Sequence, residues 1–404
     1  MALLPGALTP SLQEDLVRLG TWMPFDRAAG ELAHFRRTEV SRATAERLTE
    51  AAGAAHVAWQ TAEVARLERE VPEAPAVAER QFLSVDGAMV PLVGGEWAEV
   101  KTLVIGEVQA PVIERGEKVI HTCRHSYFSR LSEAETFQRL ALVETQRRGV
   151  ENAPAVAAVT DGADWIQTFI DYHREDAVRI LDFPHAAEYV NAVGQAHWGE
   201  DISQGREWAE EHLHQLKHTG PTAVLNEVRR VLAAHPDNEE MATQVTYLEK
   251  RAAHMQYPAF QAAGWPIGDG AVESANKLVV EARLKGSGMH WARSHVDPML
   301  ALRNIVCSDR WEEAWPQIVL HMRQQMQQHR RAHRQERLAA TLTPPTSEPT
   351  PPAATPEAPT RRQRPEPLNG SRQPWRPPPN HPWRRMPVGR ARFQSSLKPS
   401  DAKT

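Results

Sequence analysis

From residue 82 onward the apolar residues change period in a set order, and that order restricts the available folds more than any single motif does. FLSVDGAMVPL, VKTLVIGEVQ and EKVIHTCRHSYF read as strands, separated by GG, APV and RGE turn signals. A helix is expected at about 132–149, a strand in APAVAAV, a helix through WIQTFIDYH and a short strand in AVRILDF. The sequence therefore predicts three consecutive strands, then helix, strand, helix, strand. Short turns between the first three point to an antiparallel meander.

That order matches an α/β fold of the RNase H-like type: a mixed five-stranded sheet with flanking helices, in which metal ligands sit at strand ends and on a later helix. Helical patterns surround it. Residues 1–78 read as a helical N-terminal region, with Ser41 as an N-cap and Gly53 interrupting the next helix near its end. A helix-turn-helix at 25–53 fits this outline and would offer Arg42, Thr44 and Arg47 to a DNA groove; an ordinary helical hairpin fits the same residues. VPEAPAVAER, at 71–80, reads as a hinge. The core is expected at 79–200 and 258–312, interrupted by an all-helical insertion at 201–257 and followed by a C-terminal helix at 313–340.

Residues 341–404 form a Pro/Arg-rich tail with almost no aliphatic side chains, which predicts disorder. The tail holds 11 of the 47 Lys and Arg residues but 4 of the 51 Asp and Glu residues, so the net charge of −4 conceals an acidic body and a basic end. Trp375 and Trp383 lie among its arginines, a composition suited to phosphate pairing and base stacking, or simply to solvent. Cys123 and Cys307 are the two cysteines and have no CxxC partner, which excludes a disulfide framework or a cysteine zinc site. No export signal or membrane-length apolar run is found, so a cytoplasmic location is expected, nucleoid-associated when bound to DNA, with no membrane partner.

Three acids carry the expected chemistry. Asp86 and Asp161 follow apolar runs, and Glu273 opens the helical stretch AVESANKLVVEARLKGSGMHW beside an apolar stripe of Val272, Ala275, Val279 and Ala282. Two magnesium ions can drive phosphodiester cleavage when held by such hard oxygen ligands, with Asp86 as the bridge and Asp161 and Glu273 on either side. Taken singly, an Asp-Gly step is ordinarily a turn, and a Glu at a helix start ordinarily complements the dipole. Glu107, Asp164 and Asp182 compete. Asp164 falls where a helix begins and reads as its N-cap. Asp182, three residues before His185, suits a helix cap or a DNA contact better than a zinc site. Lys277, Arg283 and Lys285 are suited to a DNA backbone.

With these blocks assembled, the chain resembles the DDE transposases of bacterial insertion sequences, the ISKra-type group in particular. The resemblance runs from TWMPFDRAAGEL through DGAMVPL, VTDGADWI, ILDFPHAAEYV and GAVESANKLVVEARLKGSGMHW to HPWRR. It implies Asp86, Asp161 and Glu273 as the catalytic and metal-binding triad, with two Mg2+ ions for which Mn2+ can substitute. It also implies terminal inverted repeats and target DNA as partners, and a homodimer or higher synaptic assembly. Relatives often carry a longer, cysteine-rich N-terminal region; this chain starts near its helical segment, so the expectation is that end recognition either rests on 25–53 or is impaired. Two alternatives remain at this stage: a transposon-derived DNA-binding protein without catalysis, and an RNase H-like nuclease that cleaves without joining.

Overall fold

The computed structural model describes residues 8–342, apart from 71, 74, 115 and 200. The expected tail, with Trp375 and Trp383, lies outside the described residues beyond Leu342, as does part of the expected hinge. Residues up to Leu342 belong to one unit, separate from 343–404.

Three helices come first: α1 (Pro10–Trp22), α2 (Phe25–Arg36) and α3 (Arg42–Leu67). Ser41 caps α3 as expected, its Oγ accepting from Thr44 N at 3.1 Å. The expected interruption at Gly53 is corrected: α3 runs unbroken for 26 residues, about 39 Å. Gly53 is a contact point instead. A Cβ there would lie 2.1 Å from the carbonyl oxygen of Pro298, so glycine lets another helix pack against α3.

The sheet is built from β1 (Arg80–Pro91), β2 (Trp97–Val108), β5 (Thr122–Arg130), β6 (Ala155–Thr160) and β7 (Val178–Leu181), in the order β5-β2-β1-β6-β7. The pairings β1–β2 and β2–β5 are antiparallel, whereas β1–β6 and β6–β7 are parallel. Gly94 and Gly95, at φ +91° and +84°, turn the chain between β1 and β2. One expected strand, 117–128, divides: its start, β4 (Glu117–Val119), pairs only with β3 (Val112–Glu114), which forms across the expected turn, and the chain joins the sheet at Thr122. The apolar run VIHTC carries no sign of that break in its side chains.

Both faces of the sheet are covered. Leu83, Val85, Leu103 and Ile105 pack against α4 (Ala134–Arg147) and α5 (Asp164–Arg174), through Phe137 and Phe169 among others. Phe82, Ala88, Val90 and Val104 point the other way, into the cluster that contains most of the remaining helices. Full burial of each such Leu, Val, Ile or Phe side chain contributes about 1.5–3 kcal/mol.

After β7 the chain is helical: α6 (Phe183–Trp198), α7 (Ile202–His218), α8 (Pro221–Ala233), α9 (Glu239–Lys250) and α10 (Tyr257–Ala262). α11 (Gly270–Ala275) continues through a π turn (Asn276–Glu281) into α12 (Ala282–Leu284). α13 (Arg293–Cys307) and α14 (Trp311–Leu342) complete the fold, α13 packing along α3 and β5. Among the described residues, no helix is long and apolar enough to cross a membrane.

Candidate active site

The parallel half of the sheet carries a row of aspartates. β1 and β6 pair as far as Leu83↔Ala158, and continuing that register by three residues sets Asp161 opposite Asp86. β6 and β7 pair as far as Thr160↔Leu181, so the next residues are Asp161 and Asp182. Asp86 shares the face of Phe82, Ala88 and Val90, and Asp161 continues the alternation of Ala157 and Val159 on the same face. Strand order reverses between β1 and β6, and the crevice beyond the carboxyl ends of strands at such a point is where open α/β sheets bind ligands.

Asn276 ties the Glu273 helix to this row. Its Nδ2 donates to Asp86 Oδ2 at 2.7 Å, while its Oδ1 is buried without a hydrogen-bond partner. Glu273 lies three residues earlier on the same winding, its side chain 58% exposed and paired with Lys277 at 3.9 Å. Asp269 supplies a further carboxylate. Its backbone N donates to Asp182 Oδ1 at 2.9 Å, and Asp182 Oδ2 caps α6 by accepting from His185 N at 2.8 Å. The cap expected of Asp182 is thus observed, and the same side chain also holds the loop before Glu273.

Burial is the first cause of every raised carboxyl here, and neighbouring acids add to it for Asp86 and Asp269. Burial pushes the Asp86 carboxyl above its usual range, Asp161 and Glu99 add to the effect, and the Gly87 N–H and Asn276 oppose it. Asp269 is pushed up to about 8, first by burial and then by Asp182, Asp86 and Glu273. Asp182 is raised as well, chiefly by burial. Buried carboxylates that repel one another, next to an unsatisfied amide oxygen, form a set of hard oxygen donors that fits a magnesium-type cation.

The rival acids lie elsewhere or in other roles. Glu107 sits opposite Gln81, five residues from Asp86 along the strands, about 17 Å away, and pairs with Arg124 at 3.3 Å. Asp164 makes no cap: Ala163 holds that position, and the Asp164 carboxylate is fully exposed, 3.8 Å from Arg251. Asp161 Oδ1 accepts from Ala163 N at 2.8 Å, so Asp161 organises the turn into α5.

Asp86, Asp161 and Glu273 do not close to within 4.8 Å of one another as a threesome. Among the described residues, Glu46 and Glu50 of α3 with His295 of α13 are the one group of three His, Cys, Asp or Glu that does. There His295 Nδ1 lies 2.9 Å from Glu50 Oε1, a contact that ties the two helices. A two-ion site divides its ligands between ions about 3.5–4 Å apart, so its outer carboxylates can stand further from each other than those of a one-ion site.

One expected DNA contact is corrected. Arg283 is 2% exposed, enclosed between the rings of Phe25 and Trp291, and its Nε donates to Gly20 O at 3.1 Å. A guanidinium held there reaches no phosphate. The cause is the π turn: the buried positions Val272, Asn276, Val280 and Leu284, with Ala275, Val279 and Arg283, recur every four residues. The wider turn rotates Arg283 inward and Ala282, expected in the stripe, outward to solvent. Lys277, Lys285, Arg42 and Arg47 are exposed, Lys285 pairing with Glu281 at 2.7 Å and Arg42 with Glu46 at 3.9 Å. Thr44 is half-buried, its hydroxyl 3.0 Å from that of Ser41.

Asp269 and Asn276 were missed in the sequence. Asp269 precedes a glycine, as Asp86 and Asp161 do, and that shared Asp-Gly step is the available signal. Compared with known proteins, the chain matches no protein-family model and no curated protein.

Proposed function

We propose that this chain is a metal-dependent enzyme of phosphodiester chemistry, built on an RNase H-like core. Within that class we propose a DNA transposase that cuts at the ends of a mobile element and joins them to target DNA. The observation that carries the proposal is the β1–β6 register, which when continued sets Asp86, midway along β1, opposite Asp161, just beyond the carboxyl end of β6, with the Glu273 helix fastened to Asp86 through Asn276. The strand order β5-β2-β1-β6-β7, antiparallel on one side and parallel on the other, supports the core.

Asp86, Asp161 and Glu273 would hold Mg2+ or Mn2+, with Asp269 next to them. Bound there, the ions supply Lewis acidity for the attacking and leaving oxygens. The chain's own part is to hold the carboxylates. Asn276 fixes one oxygen of Asp86, Asp182 holds the loop that leads to Glu273, and exposed Lys277 and Lys285 suit phosphates near the cleft. Water attack at an element end breaks the phosphodiester and frees a 3′-OH, which then attacks a target phosphodiester, displacing a 3′-oxygen of the target. Joining requires two ends to be held together, so a dimer or larger assembly on DNA is part of the proposal.

The test incubates purified protein and Mg2+ or Mn2+ with DNA bearing the inverted repeats that flank its gene. Nicked and joined products that disappear in Asp86→Ala, Asp161→Ala and Glu273→Ala variants are expected. Wild-type protein that neither nicks nor joins, like Asp86→Ala, refutes catalysis and leaves the DNA-binding alternative. Nicks without joined products identify a nuclease.

A further inference from the structure

We propose that the helical insertion sets the position of Asp161, with Tyr247 and Arg251 as positioning residues for the acidic site. The inference rests on Asp161 belonging to that site. Asp161 lies one residue beyond β6, after the last ladder pair with β7, so strand pairing does not hold its carbonyl or that of Gly162. Both carbonyls are taken by the insertion. The Tyr247 hydroxyl, on α9, donates to Asp161 O across 86 residues of sequence. Arg251, just after α9, donates to Gly162 O twice, from Nε at 3.0 Å and from Nη2 at 2.5 Å.

The two anchors are themselves braced. The Arg251 guanidinium lies 3.7 Å over the Tyr247 ring, and its Nη1 donates to Tyr247 O at 3.3 Å. Tyr247 stacks on Tyr189 of α6, with ring centroids 3.8 Å apart and planes 2° from parallel, and His185 meets both rings edge-on. Gly162 has φ +78°, and a Cβ there would come within 2.5 Å of Arg251 Nε, so the glycine permits both the turn and the approach. Because the Asp161 carboxylate accepts from Ala163 N at 2.8 Å inside this same turn, holding the two carbonyls also aims the carboxylate.

The variants are Tyr247→Phe, which keeps the ring stack and removes the hydroxyl, together with Arg251→Ala and Arg251→Lys. The first measurement is hydrogen exchange over Thr160–Asp164 in metal-free protein, which needs no activity. Exchange there should quicken about tenfold in Tyr247→Phe and Arg251→Ala, with β1 and β2 as in wild type, and Arg251→Lys should restore part of the protection. Unchanged exchange, or acceleration spread over the whole sheet, overturns the proposal. The second measurement is DNA cleavage against Mn2+ concentration. Arg251→Ala should lower the rate on the order of a hundredfold, since a misplacement of about 1 Å is costly. It should also raise the Mn2+ requirement, with DNA affinity in Ca2+ unchanged. If wild-type protein cleaves nothing, the function proposed above fails and the exchange result still decides this one.

Discussion

Replacing Asp269 with Asn should make the metal-free protein more stable at neutral and alkaline pH. The Asp269 carboxyl, ordinarily near 3.8, is pushed up to about 8 by burial and by Asp182, Asp86 and Glu273. Between those two values the folded protein keeps a proton that the unfolded chain has released, so stability falls as the pH rises. The steepest slope for one group is about 1.4 kcal/mol per pH unit, which sets a ceiling of about 6 kcal/mol over the interval. Asp182 is raised too and is hydrogen-bonded to Asp269, so the two share the titration and the contribution of Asp269 alone is smaller. We expect about 2–3 kcal/mol between pH 5 and pH 8. An Asn at 269 keeps a donor toward Asp182 and removes the charge. Urea unfolding in EDTA at pH 5, 6, 7 and 8 should show a wild-type midpoint that drops more steeply with pH than that of Asp269→Asn, the gap widening toward alkaline pH. Adding Mg2+ should flatten the wild-type curve, because a cation removes the repulsion. Parallel curves for the two proteins, or a variant that loses more stability at pH 8 than at pH 5, would refute the reasoning.

Asn276→Ala removes the 2.7 Å donor to Asp86, which opposes the rise of that carboxyl; cleavage should fall about tenfold, and the acid limb of its pH profile should move to higher pH. Arg283→Ala should lower stability by about 3 kcal/mol and leave the salt dependence of DNA binding unchanged. Arg42→Ala with Arg47→Ala should instead reduce the slope of log affinity against log salt by about 2, measured by fluorescence anisotropy. Gly53→Ala forces a Cβ to within 2.1 Å of Pro298 O and should lower the thermal midpoint, at a cost of about 3 kcal/mol.

The strand and helix order was legible because each strand of the sheet carries its own alternation or buried run, and each crossover helix its own periodicity. Asp86 and Asp161 were legible as positions for the same reason: the apolar runs before them fix where each strand lies, Asp86 falling midway along β1 and Asp161 just past the end of β6. The excursion through β3 and β4 was not, since Ile113 and Val119 look like sheet residues while pairing only within a hairpin. Arg283 was misjudged because Val272, Ala275, Val279 and Ala282 satisfy an ordinary helical stripe, and nothing in those side chains marks the wider turn. Tyr247 and Arg251 were out of reach because their partners, Asp161 and Gly162, lie more than 80 residues away. Asp269 was hidden by composition: in a loop with Gly264, Gly268 and Gly270, an aspartate reads as turn chemistry.

The π turn at Asn276–Glu281 makes the length of this segment matter as much as its composition. Removing one residue between 276 and 281 would let the segment wind as a regular helix, and because the regular winding restores the about 100° that the lost residue takes away, Arg283 and Leu284 would keep their inward faces. Straightening the turn at constant length would instead carry Arg283 out of the gap between Phe25 and Trp291 and bring in Ala282, with too little volume to fill the space. The carbonyls of Leu278 and Val279, which accept from Arg303, would turn away from that guanidinium. Across natural variants this stretch should therefore accept many substitutions at its exposed positions and the loss of one residue within the turn, while resisting further insertion or deletion, a pattern opposite to that of a surface loop.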